Sequence, residues 1–213
     1  IDAGANIGVH TLLLSKLAGD QGLVYAYEPQ RAIYEILCAN MALNGRKNVR
    51  CRCEALGDTA GEICVPPLDY DAETNFGGLG LGGYQGGDKV PVVTIDGLQL
   101  PRCDLLKVDV EGMELPVLRG AADTIRKFHP ILYVENDRLE SSPALIEYLL
   151  ALDYKLYWHL PPLYHPANFF ANPVNVFGNV VSSNMLCIHS SVKSSISGLR
   201  PIEKPEEHWL KRG

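Results

Sequence analysis

No run of apolar residues in this chain approaches the ~18 that a bilayer-spanning helix requires. The longest candidate, Leu145 to Leu152, is short and interrupted by Glu147. Positive charge is not in excess either. The chain has 19 Lys and Arg against 25 Asp and Glu, a net charge of −6. Without a global basic field, neither nucleic acid nor a membrane is expected as a partner. Paired Cys-x-x-Cys spacing is absent. The six cysteines, Cys38, Cys51, Cys53, Cys64, Cys103 and Cys187, fall inside apparent helices and strands. They offer no zinc-finger pattern and read as reduced, buried thiols. Internal repeats are also missing. What remains is a composition ordinary for a globular protein, 213 residues with 46% hydrophobic and 21% charged, enough for one α/β domain with a full core. A cytoplasmic location is expected.

The first stretch organises the rest. Ile1-Asp2 runs into Ala3-Gly4-Ala5-Asn6-Ile7-Gly8, and a run with helical spacing follows through Val9, Leu12, Leu13, Leu14 and Leu17. The pattern is strand end, glycine-rich turn, helix start. Open α/β sheets bind ligands at such carboxyl ends, where helix N–H groups point outward. A strand feeding such a loop usually has about five residues. Part of this one is therefore expected to lie upstream of the numbering.

Strands and helices then alternate. Leu23 to Glu28 is an apolar run ending in an acid, as in a buried parallel strand. Ala32 to Leu43 has helical period, closed by Asn44-Gly45. Val49 to Ala55, Gly61 to Val65 and Val90 to Ile95 read as strands. Between the last two, the glycine-rich stretch 77–87 is either mobile or a lid close to ligand. Asp104 to Gly112 is a buried strand ending in acids, followed by a helix over Met113 to Lys127. Ile131 to Asp137, Tyr154 to His159 and Met185 to His189 are further strands, with a helix from Ser142-Pro143 to Leu152. The tail from Ser190 is expected to be loosely held. The alternation predicts a mostly parallel sheet with helices on both faces.

Three strands end in acids at one edge: Glu28, Asp109 and Glu135. Burying three acids at random is costly, so their convergence on a glycine loop marks a candidate site. The loop does not fit a pyrophosphate. A dinucleotide fingerprint wants glycine at positions 4, 6 and 9, where this chain has Gly4, Asn6 and Val9. Losing the middle glycine blocks close backbone approach and disfavours a Rossmann dehydrogenase. An acid before the loop and an amide within it suit a ligand bearing an ammonium and a carboxylate. Glu28 can accept both hydroxyls of a ribose. A ribose joined to an amino acid points to S-adenosyl-L-methionine.

Asp2-Ala3-Gly4-Ala5-Asn6-Ile7-Gly8 with Tyr27-Glu28-Pro29 resembles the class I S-adenosylmethionine-dependent methyltransferases. Glu54 to Asp58, Asn75 to Gly78, Thr94-Ile95-Asp96, Leu106 to Glu114 and Val117 to Ala121 narrow the resemblance to the FkbM family. It covers about residues 1–189. The resemblance implies a Rossmann-like, seven-stranded, mostly parallel sheet with an antiparallel last strand. It also implies one methyltransferase domain over 1–189, a tail over 190–213, and methyl transfer to a hydroxyl of a small molecule or saccharide. Gly4, Ala5, Asn6 and Gly8 would wrap the methionyl part, with Asp2 facing its ammonium directly or through water. His10 and Thr11 would meet the carboxylate, although His10 also reads as a simple helix cap. Glu28 would hold the ribose, Glu54 and Ala55 would flank the adenine, and Asp109 would close the pocket near the methyl group.

A hydroxyl acceptor benefits from a base, and Asp109, Glu111 and Glu135 are the candidates. Glu111 also reads as an acid at a helix start, interacting with the helix dipole. His159 and His165 could form an acceptor wall. Their aromatic segment, Tyr157 to Phe170, reads either as that wall or as a lid packed on the sheet. Asp109 with Glu135-Asn136 could hold Mg²⁺, as in catechol-type methyltransferases, but no metal site is assigned. The other class of function is a degenerate methyltransferase fold that binds a ligand or partner without turnover. Oligomeric state leaves no signature in the sequence.

Overall fold

The structure is a computed structural model that describes residues 1–67, 78, 80, 83–193 and 196–210. The chain divides into two compact units, Ile1–Pro130 and Ile131–Gly213. That boundary falls inside the domain expected over 1–189.

The first unit begins with β1 (Asp2–Ala3) and α1 (Val9–Ala18), then β2 (Val24–Tyr27), α2 (Arg31–Leu43) and β3 (Val49–Arg52). β1 is flanked on one side by β2 and on the other by β7 (Leu105–Val108), both parallel to it. Asp2 lies opposite Ala26 and Lys107. β3 extends the ladder beyond β2, again in parallel. Ala26, Leu37, Met41 and Val24 form the core between strands and α2.

The turn of α1 differs from a simple apolar-in reading. Its buried residues are Thr11 and Ser15, while Val9, Leu13 and Leu17 are exposed. The inward face is mixed: Leu12 and Leu14, half-buried, pack against the core, and Thr11 is buried because it bonds a buried acid of β1, described below.

The stretch expected as one strand over Val49 to Ala55 is two. β3 stops at Arg52, and β4 (Ala55–Leu56) joins a separate small sheet. There β6 (Asp88–Val93) lies between β4, parallel to it, and β5 (Gly61–Val65), antiparallel. Residues 77, 79, 81 and 82 of the glycine-rich stretch 77–87, read as mobile or as a lid, lie outside the described residues.

The helix expected over Met113 to Lys127 breaks into α3 (Glu114–Arg119) and α4 (Ala122–Phe128). The break has two causes. A Cβ on Gly120 would collide with the backbone carbonyl of Gly57, so only glycine allows this approach. The two carboxylate oxygens of Asp96 accept hydrogen bonds from the backbone N–H groups of Asp123 and Thr124, at 3.0 and 2.8 Å. Those donors start α4 and would otherwise lack partners.

The second unit contains β8 (Ile131–Glu135), α5 (Ser142–Ala151), β9 (Tyr154–His159), β10 (Asn184–His189) and β11 (Arg200–Ile202). β10 runs antiparallel between β8 and β9, with Asn184 opposite both Glu135 and His159. This is the antiparallel last strand expected of the domain. The tail is held more firmly than expected. Arg200–Ile202 pairs antiparallel with Leu156–Trp158, and His208 is buried with its ring edge against Trp158. Trp209 Nε1 donates to Ser183 Oγ at 2.6 Å. Setting the small sheet aside, β11 is one strand beyond the seven expected. All six cysteines are free; Cys103 and Cys187 are buried and the other four half-buried.

Candidate active site

The glycine loop is fixed by what its neighbours leave room for. Gly4 adopts φ +74°, and a Cβ there would collide with the carbonyl of Asp109. Only glycine lets the loop cross so close to the end of β7. The N–H groups of Gly4 and Ala5 both donate to Tyr27 O, at 3.1 and 2.9 Å. Asn6 follows at φ +48°, a left-handed conformation that asparagine tolerates better than most residues. Its side-chain Oδ1 accepts from Ile7 N at 2.7 Å. Asn40 Nδ2 of α2 donates to Ile7 O at 2.7 Å, tying the loop to that helix.

Beneath the loop lies a buried charge network. Lys107, from the centre of β7, donates from Nζ to Gly4 O at 2.9 Å. The same ammonium lies 3.2 Å from Asp2 Oδ1 and 3.3 Å from Asp109 Oδ2. Asp2 is fully buried. Its Oδ2 accepts from Thr11 Oγ1 at 2.6 Å. Its Oδ1 receives no well-directed hydrogen bond and is held instead by the charge of Lys107. Burial alone would lower the pKa of Lys107, but the carboxylates of Asp2 and Asp109 outweigh it and raise the pKa above the ordinary lysine value. Lys107 therefore stays charged at physiological pH. A lysine inside a central strand is tolerable only when paired in this way.

Glu28 projects from the end of β2 and is buried. Its Oε2 accepts from Asn6 N and its Oε1 from Gln30 N, both at 2.9 Å. Burial pushes its pKa up. The two backbone donors and Lys107 oppose that without reversing it. A carboxylate has about four acceptor positions, so each oxygen keeps capacity for a further donor.

Above the network is a cavity of about 330 Å³, bounded entirely by the first unit. Gly4, Ala5, Asn6, His10, Glu28, Glu54, Ala55, Asp109 and Glu111 line it, all of them expected from sequence. Asp2, Gly8 and Thr11 do not line it. Thr11 donates to Asp2 below the loop, so neither side chain lines the cavity, where Thr11 was expected to meet the carboxylate and Asp2 to face the ammonium directly or through water. Gly8 packs against Leu37 and Met41 of α2. Sequence reasoning missed Tyr27, Gln30, Leu56, Lys107 and Met113, which also line the cavity. The signal for Lys107 was present, as a lone cation inside Leu105-Leu106-Lys107-Val108. Four carboxylates, those of Glu28, Glu54, Asp109 and Glu111, face the cavity, against the one ammonium of Lys107.

The turn after β7 carries Asp109 and Glu111 to the rim. Buried Glu114 pins it, with Oε1 accepting from Val110 N at 3.2 Å and Gly112 N at 2.9 Å. Glu111 is held at φ +56°, a strained conformation for a non-glycine residue, of a kind that clusters at functional sites.

The remaining expected residues belong to the second unit. Glu135 ends β8 and is half-buried. His159 Nδ1 shares a hydrogen bond with Tyr133 Oη at 2.8 Å. His165 Nδ1 accepts from Ala167 N at 3.1 Å in an exposed turn.

Residues 2–156 match the family model described as the methyltransferase FkbM domain. Methyltransferase sdnD of Sordaria araneosa is 32% identical over 159 residues, covering 56% of this chain and 59% of that protein. Hexuronic acid methyltransferase AglP of Haloferax volcanii is 27% identical over 135 residues, covering 62% of this chain and 53% of that protein. The chain thus spans a little over half the length of these curated relatives. Among solved structures, methyltransferase FkbM of Methylobacillus flagellatus KT matches in fold with a TM-score of 0.58 at 18% identity. The match covers 87% of this chain and 42% of that one.

Proposed function

The chain belongs to the FkbM methyltransferase domain family, and from that premise we propose that it transfers a methyl group from S-adenosyl-L-methionine to a hydroxyl oxygen. The acceptor is a small molecule or saccharide. One observation carries this reading: the cavity joins the glycine loop to a buried Glu28 with spare acceptor capacity, in a ring of four carboxylates. Such a ring repels a pyrophosphate and favours a ligand bearing a sulfonium and an ammonium. The donor set therefore fits S-adenosyl-L-methionine.

When bound, that molecule supplies a methyl group already activated on sulfur. The chain's task is then to hold, orient and remove a proton. Glu28 accepts the ribose hydroxyls. The backbone of Gly4, Ala5 and Asn6, with His10, takes the methionyl end, and Glu54 and Ala55 flank the adenine. Asp2, Gly8 and Thr11 act from behind by keeping the loop in place. Asp109 and Glu111 stand at the rim as acceptors for the proton of the attacking hydroxyl, with Glu135 as a further candidate base. The ammonium of Lys107, 3.3 Å from Asp109 Oδ2, orients that carboxylate at the rim. The printed name of the Haloferax relative, a hexuronic acid methyltransferase, supports a saccharide among the acceptors.

The test is transfer of a labelled methyl group to a panel of hydroxylated saccharides and small molecules, with the product read by mass spectrometry. Label on oxygen is expected. Cofactor binding without transfer to any acceptor would instead favour the degenerate, ligand-binding reading.

A further inference from the structure

The turn after β7 is held in a conformation that its own residues do not favour. Glu111 at φ +56° and Gly112 at φ +97° are left-handed in succession. Glycine adopts that conformation freely, whereas a glutamate there crowds its Cβ against the backbone. The N–H groups of Val110 and Gly112 lie beyond β7 and before α3, so neither a strand ladder nor a helix supplies their partner. Both donate to the same atom, Oε1 of Glu114, at 3.2 and 2.9 Å. Glu114 is the first residue of α3, and its side chain is buried.

The two parts of the turn are anchored by different groups. Asp109 N donates to Ala3 O at 3.1 Å, and the Asp109 carboxylate lies beside Lys107. The Asp109 carbonyl packs against Gly4. Asp109 is therefore tied to the floor of the cavity by contacts that do not involve Glu114. The two hydrogen bonds of Glu114 fall one residue further on and straddle Glu111, which lines the cavity. A residue that leaves the left-handed region for the right-handed or extended one turns its side chain to a new direction. The direction of the Glu111 carboxylate thus depends on Glu114.

We propose that Glu114 is a positioning residue that aims Glu111 into the cavity and acts on turnover through Glu111, not through the cofactor. This rests on the methyl-transfer reading above, in which Glu111 is an acceptor for the proton of the attacking hydroxyl. The role needs one acceptor oxygen at the right reach and no negative charge. A glutamine side chain supplies that oxygen, whereas aspartate is one methylene too short to supply it.

Three measurements on the full chain test this: hydrogen exchange over residues 109–113, calorimetric affinity for S-adenosyl-L-methionine, and kcat with the preferred acceptor of the panel. In Glu114→Leu the amides of Val110 and Gly112 should exchange about tenfold faster or more, because they lose their acceptor. Its kcat should fall by about tenfold or more, as expected when a proton acceptor is displaced. Its cofactor affinity should stay within about threefold of the parent, since Glu28 and the glycine loop keep their own anchors. Glu114→Gln should recover all three properties, and Glu114→Asp should behave as Glu114→Leu does. In a Glu111→Ala background, Glu114→Leu should lower kcat no further, because residues acting as a unit are not additive. A general loss of stability would instead lower kcat equally in both backgrounds. Unchanged exchange in Glu114→Leu, a Glu114→Gln variant as slow as Glu114→Leu, or an additive loss on Glu111→Ala would each overturn the proposal. A parent chain that methylates no acceptor defeats the methyl-transfer reading, and with it the catalytic part of the proposal. Exchange needs neither cofactor nor acceptor, so it still decides whether Glu114 holds the turn.

Discussion

The loop over residues 3–8 and the loop over residues 160–183 both leave the ends of strands, but they satisfy their backbones differently. The first is held from beneath by charge: Lys107 grips Gly4 O and two carboxylates, and Thr11 Oγ1 donates to Asp2 Oδ2. The second, between β9 and β10, is held by asparagine amides, contains no Asp, Glu, Lys or Arg, and exposes the rings of Phe169 and Phe170. The contrast shows two ways of positioning irregular backbone. A buried ion network fixes a polar cavity for a charged ligand. An amide network holds an exposed loop without charge. Stability should therefore depend heavily on the first loop's partners and hardly at all on the second loop's exposed rings.

The sharpest way to break this comparison is Lys107→Met. It leaves Asp2 buried beside no cation, and losing one partner of such a pair costs about 3–5 kcal/mol. Urea denaturation should register that loss, whereas Phe169→Ser should stay within about 0.5 kcal/mol of the parent. Glu28→Gln keeps the shape but removes the charge. Hydrogen bonds to charged groups are worth about 1.5–3 kcal/mol, so affinity for S-adenosyl-L-methionine should fall by about 10- to 100-fold. Thr11→Val leaves Asp2 Oδ2 without its donor. It should cost about 1–2 kcal/mol of stability with a much smaller change in cofactor affinity, since Thr11 lies behind the cavity.

A finer distinction comes from pH. Burial holds the folded pKa of Glu28 above its ordinary value of 4.5. Its contribution to stability is fully present below the unfolded value and is lost as pH rises through the folded one. Affinity moves oppositely, because protonation removes an acceptor. Cofactor binding should weaken as pH falls through a point above 4.5, and Glu28→Gln should abolish that step. The smallest effect is expected from EDTA. Lys107 already lies 3.3 Å from Asp109, which makes a cation there less favourable, so methyl transfer should persist.

Much of the site could be read from the sequence because glycine, asparagine and strand-end acids carry backbone information. Gly4, Asn6 and Glu28 meet at one cavity. Less legible were features set by distant partners. The role of Thr11 depends on Asp2, nine residues away and reached through the fold. The break at Gly120 depends on Gly57 and Asp96. The burial of Thr11 and Ser15 in α1 was hidden because leucines at helical spacing imitate a core stripe. β11 was unreadable because three residues, one of them proline, carry no periodicity; they form a strand only because β9 offers an open edge.

Calorimetric titration of the parent chain and Glu28→Gln with S-adenosyl-L-methionine is the most direct check on the cavity as a methyl-donor site. Saturable one-to-one binding by the parent, weakened by about 10- to 100-fold in the variant, is the expected result. Equal affinity in both proteins, or no heat from the parent chain, would contradict it.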